Sequence, residues 1–289
     1  MRRTMLFLPG NSPKMITNGG VLGADSIIFD LEDAVAPSEK DAARVLVREA
    51  LKNIDFNGCE IIVRINSLDT PFWKEDLEEI IPLKPDVIMP TKVNDATYIC
   101  ELDKEISRIE ENKYMHRGST KLIPLIETAK GIENSYKIAL ASKRIEALYL
   151  GAEDLTADFG CSRTKEGKEI DYARGRLLCA ARAAGIDAYD TPFTDIEDLK
   201  GLEKDSYYAK GMGYTGKAVI HPSHVEIVNK IFSPTEKEIL YAQEILKAIE
   251  DGKKAGKGAV SLHGKMIDAP IVERAKRTLS VAEKIRGGV

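Results

Sequence analysis

The sequence predicts a closed (β/α)8 barrel of the TIM type followed by a C-terminal helical lid. Three observations carry that reading: eight short β-rich apolar runs, helical periodicity between them, and a change of pattern after the eighth run. The runs cover residues 4–8, 26–31, 61–65, 87–89, 121–126, 147–150, 187–189 and 217–220. Parallel strands need helical crossovers, and a count of eight favours closure over an open doubly wound sheet. Against the open sheet, the G-x-G-x-x-G formed by Gly211, Gly213 and Gly216 precedes a strand, whereas a dinucleotide fingerprint follows one. Those glycines read as a helix-to-strand turn. Residues 1–232 are assigned to the barrel and 233–289 to the helical extension and lid.

The connections follow the same logic. After the second run, Ala43, Leu46, Val47, Ala50 and Leu51 recur at helical spacing behind Ser38-x-x-Asp41, a helix-start signal. Beyond the eighth run, Ser233-Pro234-Thr235-Glu236 opens a helix bearing Ile239, Ala242, Leu246 and Ile249, with Pro read at its first position. Residues 251–264 hold four Gly and three Lys without apolar periodicity and read as a flexible connection. A last helix is expected over 270–285.

Composition narrows the function. With 43% apolar residues, a chain of 289 can bury one large core. Its 42 basic and 46 acidic residues are mixed along the chain, so there is no basic footprint for nucleic acid. The apolar run at 27–31 is too short to span a bilayer, and Arg2 and Arg3 precede only a short apolar stretch, so membrane and secretory readings fail. Cysteines at 59, 100, 161 and 179 form no C-x-x-C pair; they read as packing residues of a protein of the reducing cytosol.

Barrel enzymes build their sites where strands end, and here the strand ends are rich in charge. The second run leads into Asp30, Glu32 and Asp33, the third holds Arg64 and Asn66, and the fourth leads to Lys92. The fifth ends at Glu127, the sixth at Glu153 and Asp154, and the eighth reaches His221. Glu127 and Asp154 end consecutive strands and offer hard oxygen ligands without imidazole or thiolate, which suits Mg²⁺. The alternative is that these carboxylates only cap the helices that follow. Arg64, a cation within a strand, must be paired or meet a ligand; its fork suits a substrate carboxylate, or a salt bridge to Glu32 or Asp33. His221-Pro222-Ser223-His224 has a metal-like spacing without a carboxylate partner, so zinc is disfavoured. Gly118-Ser119-Thr120-Lys121 lacks P-loop spacing and is a loop.

Several motifs together resemble the citrate lyase β subunit and its relatives in the HpcH/HpaI aldolase and malyl-CoA lyase group. They are Arg3-Thr4-Met5-Leu6-Phe7-Leu8-Pro9-Gly10-Asn11, Phe29-Asp30-Leu31-Glu32-Asp33-Ala34-Val35, Val63-Arg64-Ile65-Asn66, Leu125-Ile126-Glu127, Gly151-Ala152-Glu153-Asp154 and Gly264-Lys265-Met266-Ile267-Asp268. The resemblance spans nearly the whole chain. It implies Mg²⁺ held by Glu127 and Asp154, Arg64 on the oxo-acid, and Glu32 and Asp33 supporting the metal's waters. It also implies that Pro9 and Gly10 lie near the phosphopantetheine or CoA arm, and that members are oligomers, often trimers. The implied reaction is cleavage of citryl-acyl carrier protein to oxaloacetate and acetyl-acyl carrier protein, in an assembly with an α transferase subunit and the carrier. A stand-alone citramalyl-CoA or malyl-CoA lyase is the alternative, and a non-catalytic scaffold subunit is an alternative of another class.

Retro-Claisen cleavage of a 3-hydroxyacyl thioester must remove a hydroxyl proton, stabilise the departing oxo-acid and protonate an enolate carbon. Mg²⁺ and Arg64 supply positive charge for the first two demands. For the third, Asp268 is the candidate. Resemblance to the malyl-CoA lyases implies that this lid carboxyl acts in a neighbouring subunit, while the bland reading makes it the N-cap of the helix entered through Pro270.

Overall fold

The structure, a computed structural model, describes residues 1–254 and 260–287. Two compact units are present, Arg2–Asn229 and, with Met1, Lys230–Val289. In chain order the first unit holds β1 (Thr4–Pro9), α1 (Pro13–Asn18), β2 (Ser26–Asp30), α2 (Lys40–Asn53), β3 (Glu60–Arg64), α3 (Trp73–Ile80), β4 (Val87–Met89), α4 (Ala96–Asn112), β5 (Lys121–Leu122), β6 (Leu125–Ile126), α5 (Ala129–Ala139), β7 (Ala147–Leu150), α6 (Ala152–Phe159), α7 (Asp171–Ala183), β8 (Asp187–Asp190), α8 (Leu199–Met212), β9 (Gly216–Val219) and the first part of α9 (Val225–Phe232).

All pairs in this sheet are parallel, in the order β5-β4-β3-β2-β1-β9-β8-β7-β6. The two ends of that order are halves of one strand, the predicted run at 121–126. It is interrupted at Ile123-Pro124, where proline has no N–H to give a ladder. Leu122 also bridges Ile145 in parallel, so the sheet closes on itself as an eight-position barrel. The barrel expectation holds, with the fifth strand split.

Strand alternation explains both the core and the site above it. Met5, Ile28, Ile62, Leu125, Tyr149, Tyr189 and Ala218 pack inside the barrel with Phe7 against them. Two residues further along, the same inward face presents Pro9, Asp30, Arg64, Glu127, Gly151, Thr191 and Ile220 at the C-terminal mouth. Residues of the opposite parity face the helices, and there the sequence hid a buried charge quartet. Asp190 accepts two hydrogen bonds from Arg174 at 2.9 Å, and Lys217 Nζ lies 2.6 Å from both Asp190 and Asp205. Arg174 Nη2 closes the set on Asp205 at 2.7 Å. Burial works to raise the Asp190 carboxyl, but Lys217 and Arg174 outweigh it and hold it below the usual range. Two cations balance two anions, the condition under which such a cluster survives desolvation.

Some local expectations are corrected. Ser38 lies in a 3₁₀ turn, Pro37–Glu39, and α2 starts at Lys40 with no side-chain cap, so Ser38-x-x-Asp41 is not a capping box. Of the three glycines read as a turn, Gly213 ends α8 at φ +115°, whereas Gly211 lies within α8 and Gly216 opens β9, where a Cβ would lie 1.9 Å from Arg2 O.

In the second unit, α10 (Glu236–Lys254) opens on a reciprocal capping box: Thr235 Oγ1 accepts from Glu238 N at 3.2 Å, and Glu238 Oε2 accepts from Thr235 N at 2.7 Å. Thr235 thus takes the cap, and Pro234 precedes it instead of sitting inside the helix. The described parts of the connection expected over 251–264 are regular, contrary to the flexible reading. Residues 251–254 complete α10, and β10 (Val260–Leu262) pairs antiparallel with β11 (Lys265–Ile267); residues 255–259 lie outside the described residues. His263 and Gly264 both have positive φ, as a two-residue type I′ turn requires. Ala242, Ile245, Ile267 and Ala275 form a small core between α10, the hairpin and α11 (Ala269–Arg286). Among the described residues, no helix is long and apolar enough to cross a membrane.

Candidate active site

A cavity of about 430 Å³ opens at the C-terminal mouth of the barrel, lined by Phe7, Pro9, Asp30, Arg64, Glu127, Asp154 and Thr191 among others. Its charged members are placed by strand register. Asp30 and Arg64 are direct partners across β2 and β3, which puts a carboxylate beside a guanidinium at the end of the ladder. Arg64 Nε donates to Asp30 Oδ1 at 2.7 Å and Nη2 to Oδ2 at 2.5 Å, a bidentate pair. Its remaining Nη1 lies 3.3 Å from Glu32 and 3.9 Å from Asp33, and its Cζ sits 5.0 Å from the Phe7 ring centroid. Burial works against the Arg64 charge, but Asp30 outweighs it and the guanidinium stays protonated. Sequence reasoning expected Glu32 or Asp33 as the partner; Asp30 holds Arg64, and Glu32 is secondary.

Glu32 lies between two cations, with Lys92 Nζ at 2.8 Å from Oε1 and Arg64 Nη1 near Oε2. Burial raises the Glu32 carboxyl, and Arg64 and Lys92 offset this only in part. Lys40 Nζ holds the same turn from below by donating to Leu31 O at 2.8 Å and Glu32 O at 2.6 Å. Asp33 is half exposed at the rim.

Glu127 follows β6 and is 3% exposed. It is no helix cap: Thr128 takes that role for α5 by accepting from Gly131 N at 3.0 Å. Burial first, and the like charge of Asp154 second, push the Glu127 carboxyl well above the usual range. Asp154 stands in the first turn of α6, whose N-cap is Gly151, so the helix dipole favours a carboxylate there. Gly151 is a requirement that sequence reasoning missed: a Cβ there would lie 2.8 Å from Glu127 Cβ and Oε2 and 2.9 Å from Leu125 Cδ1. Gly151→Ala is therefore expected to displace the Glu127 carboxylate and, with Glu127 as a ligand, to weaken Mg²⁺ binding about tenfold. Titration calorimetry checks this, and an alanine variant with wild-type affinity would separate Gly151 from the metal site.

The donor set fits a divalent cation. Asp30, Glu32, Asp33, Glu127 and Asp154 are linked electrostatically to Arg64, Lys92 and Lys40, so when all are ionised the carboxylates exceed the cations by two. Among the described residues no three His, Cys, Asp or Glu side chains are arranged to hold a metal. A site with fewer than three protein carboxylates, the rest filled by water and substrate, is within the usual range for Mg²⁺.

The other predicted residues are more scattered. Pro9 lines the cavity, whereas Gly10 is buried beneath it, its N–H donating to Asp30 O at 2.8 Å; a Cβ there would sit 2.6 Å from that oxygen. Asp268 belongs to the C-terminal unit, where Oδ1 accepts from Ile271 N at 3.1 Å and caps α11. His221 Nδ1 meets Ser223 Oγ at 2.7 Å, and His224 Nε2 faces Ile196 O at 3.3 Å. The packing role expected of the cysteines fails for Cys100, Cys161 and Cys179, which are exposed; only Cys59 is partly buried.

A sequence profile of the HpcH/HpaI aldolase/citrate lyase family matches residues 3–222, and one described as a C-C bond lyase of the TIM-barrel fold matches residues 178–285. The citrate lyase subunit beta of Leuconostoc mesenteroides subsp. cremoris is 45% identical over 98% of this chain and 93% of that protein. The mitochondrial citramalyl-CoA lyase of Homo sapiens is 33% identical over 99% of this chain and 86% of its own length. The crystal structure of protein CitE from Mycobacterium tuberculosis in complex with magnesium, acetoacetate and coenzyme A superposes with a TM-score of 0.78 at 30% identity, covering 97% of this chain and 98% of that one. Profile, relatives and barrel geometry agree: this chain belongs to the HpcH/HpaI aldolase/citrate lyase family of carbon–carbon lyases.

Proposed function

We propose that the protein is the β subunit of a citrate lyase, splitting citryl-acyl carrier protein into oxaloacetate and acetyl-acyl carrier protein with Mg²⁺. The observation that carries this reading is the convergence of Arg64, Glu127 and Asp154 on one cavity at the barrel mouth. Glu127 and Asp154 would hold the ion. When bound, Mg²⁺ would supply Lewis-acid charge to the hydroxyacyl substrate. Arg64, fixed in orientation by Asp30 and by the Phe7 ring, presents a guanidinium to the carboxylate that becomes part of the oxo-acid. The hydroxyl proton passes to water, the carbon–carbon bond breaks to give the oxo-acid and a thioester enolate, and the enolate carbon takes up a proton, so one proton leaves and one is returned. Glu32 and Asp33 support the metal's waters, and Pro9 borders the path of the phosphopantetheine or CoA arm.

The proton donor in this reading is Asp268 on a C-terminal lid, acting in a neighbouring subunit of a homo-oligomer, a trimer. If Asp268→Asn and Glu127→Gln chains are each inactive, mixed oligomers should regain part of the activity, because some sites would pair an intact metal centre with an intact lid. Verified mixed oligomers without recovery would refute the shared site. The α subunit and acyl carrier protein are the partners, and the cytoplasm is the location, which exposed free cysteines suit.

A second reading, a stand-alone citramalyl-CoA or malyl-CoA lyase, is favoured by the 33% identity to a protein named citramalyl-CoA lyase. A panel of citryl, citramalyl and malyl thioesters, each on CoA and on a phosphopantetheine-loaded carrier, separates the two. The first predicts fastest oxaloacetate release from the citryl carrier; fastest cleavage of citramalyl-CoA or malyl-CoA would replace it with the second. Mg²⁺-dependent release from any of them would exclude a scaffold role.

A further inference from the structure

Lys92 follows β4 with φ +54°, a left-handed backbone that residues with a Cβ rarely adopt. Such a conformation persists only where its surroundings over-determine it. Here the over-determined unit is the peptide joining Thr91 to Lys92, which is gripped at both ends. Its carbonyl, Thr91 O, accepts from the Tyr98 hydroxyl at 2.7 Å, and its N–H, that of Lys92, donates to Glu127 Oε1 at 2.6 Å. Tyr98 is itself fixed from α4, because its hydroxyl oxygen accepts from Leu68 N at 3.0 Å. The Lys92 ammonium is engaged separately, with Glu32.

We propose that the Thr91–Lys92 peptide is a positioning device for the metal ligand. By holding Oε1 of Glu127, it fixes the orientation of the carboxylate that would hold the ion, with Oε2 set against Gly151. Lys92 thus acts on Glu127 through its backbone and Tyr98 acts through that peptide; neither touches substrate in this role. The inference deepens the function proposed above and rests on its assignment of Glu127 to the metal.

The sign of the charge effect makes this testable. Removing a cation from the neighbourhood of a Mg²⁺ site tightens Mg²⁺ binding by simple electrostatics. A variant at position 92 that weakens binding must therefore do so through the backbone. Lys92→Gly keeps the N–H and tolerates positive φ, so it is expected to bind Mg²⁺ at least as tightly as wild type. Lys92→Val also loses the charge, but its β-branched side chain disfavours the left-handed region, so the peptide rotates and affinity falls about tenfold. Tyr98→Phe leaves Lys92 untouched and frees the other end of the same peptide, with a fall of similar size expected.

Mg²⁺ dissociation constants measured by titration calorimetry on the full-length protein, with folding verified by circular dichroism, decide the matter. Should the valine chain fail to fold, Tyr98→Phe still tests the grip. Wild-type affinity in Tyr98→Phe, or a glycine variant as weak as valine, overturns the inference while leaving the metal reading intact. A wild-type chain that binds no Mg²⁺ overturns both.

Discussion

Glu127→Gln is expected to abolish Mg²⁺-dependent cleavage, a loss on the order of a thousandfold or more, while its metal-free fold melts no lower than wild type. The first half follows from removing one of the two carboxylates proposed to hold the ion, where several kcal/mol of transition-state stabilisation are at stake. The second half follows from burial. The Glu127 carboxyl is raised well above the usual range because it is desolvated and faces Asp154. Between its unfolded value and that raised value the native state holds more protons than the unfolded chain, so stability falls as pH rises through this window. Glutamine keeps an oxygen for the Lys92 N–H and carries no charge, so the variant should lack that slope. Thermal melts in chelator from about pH 5 to 8 would show the wild-type midpoint dropping relative to the variant. Mg²⁺ at a hundred times its dissociation constant should then stabilise wild type by about 2.7 kcal/mol, raising its midpoint, and leave the variant behind. Asp154→Asn should lose activity to a similar degree. Unchanged activity of either variant at low Mg²⁺ would remove that residue from the metal site.

The contrast between Glu127 and its supports shows where the sequence stops being readable. A carboxylate at the end of an apolar run is visible in one dimension, since strand periodicity predicts the mouth of a barrel and only a few residues sit there. All eight strand positions were legible for the same reason, the interruption at Pro124 included in a single run. Asp30 was equally visible as a strand-end acid, yet its grip on Arg64 depends on the β2–β3 register, which no local pattern encodes. Gly151 and the Thr91–Lys92 peptide act by where their backbone comes close to Glu127, a relation between residues dozens of positions apart. The Asp190 quartet was hidden differently: its members lie on two strands and two helices and face away from the cavity. In the C-terminal unit, Gly- and Lys-rich composition pointed to a loose connection. Its Gly264 serves a tight hairpin turn, and a Cβ at Gly252 would lie 2.3 Å from Val260 Cγ2, so these glycines answer to turn geometry and close packing.

Arg64→Lys is expected to cost turnover more than stability, although it conserves charge. Arginine spends Nε and Nη2 on Asp30 and still has Nη1 to point toward Glu32 and the cavity. A lysine ammonium is one point of charge on a flexible stem, and it cannot hold Asp30 in a fork while presenting a second donor to substrate. Losing a fixed, forked donor that orients the substrate carboxylate is expected to lower turnover by about 10². The fold should lose less, roughly 1–2 kcal/mol, because Asp30 keeps a cationic partner. Arg64→Ala is the harsher control: Asp30, 2% exposed, would be left as a buried charge facing Glu32, at a cost of about 3–5 kcal/mol. The Arg64→Ala/Asp30→Ala double variant should recover much of that stability without recovering activity, which separates the ion pair from the chemistry. Single-turnover cleavage, oxo-acid affinity and denaturant melts on the three variants give the needed comparison. An Arg64→Lys enzyme with wild-type turnover and wild-type oxo-acid affinity would show that the guanidinium belongs to the fold and not to the reaction.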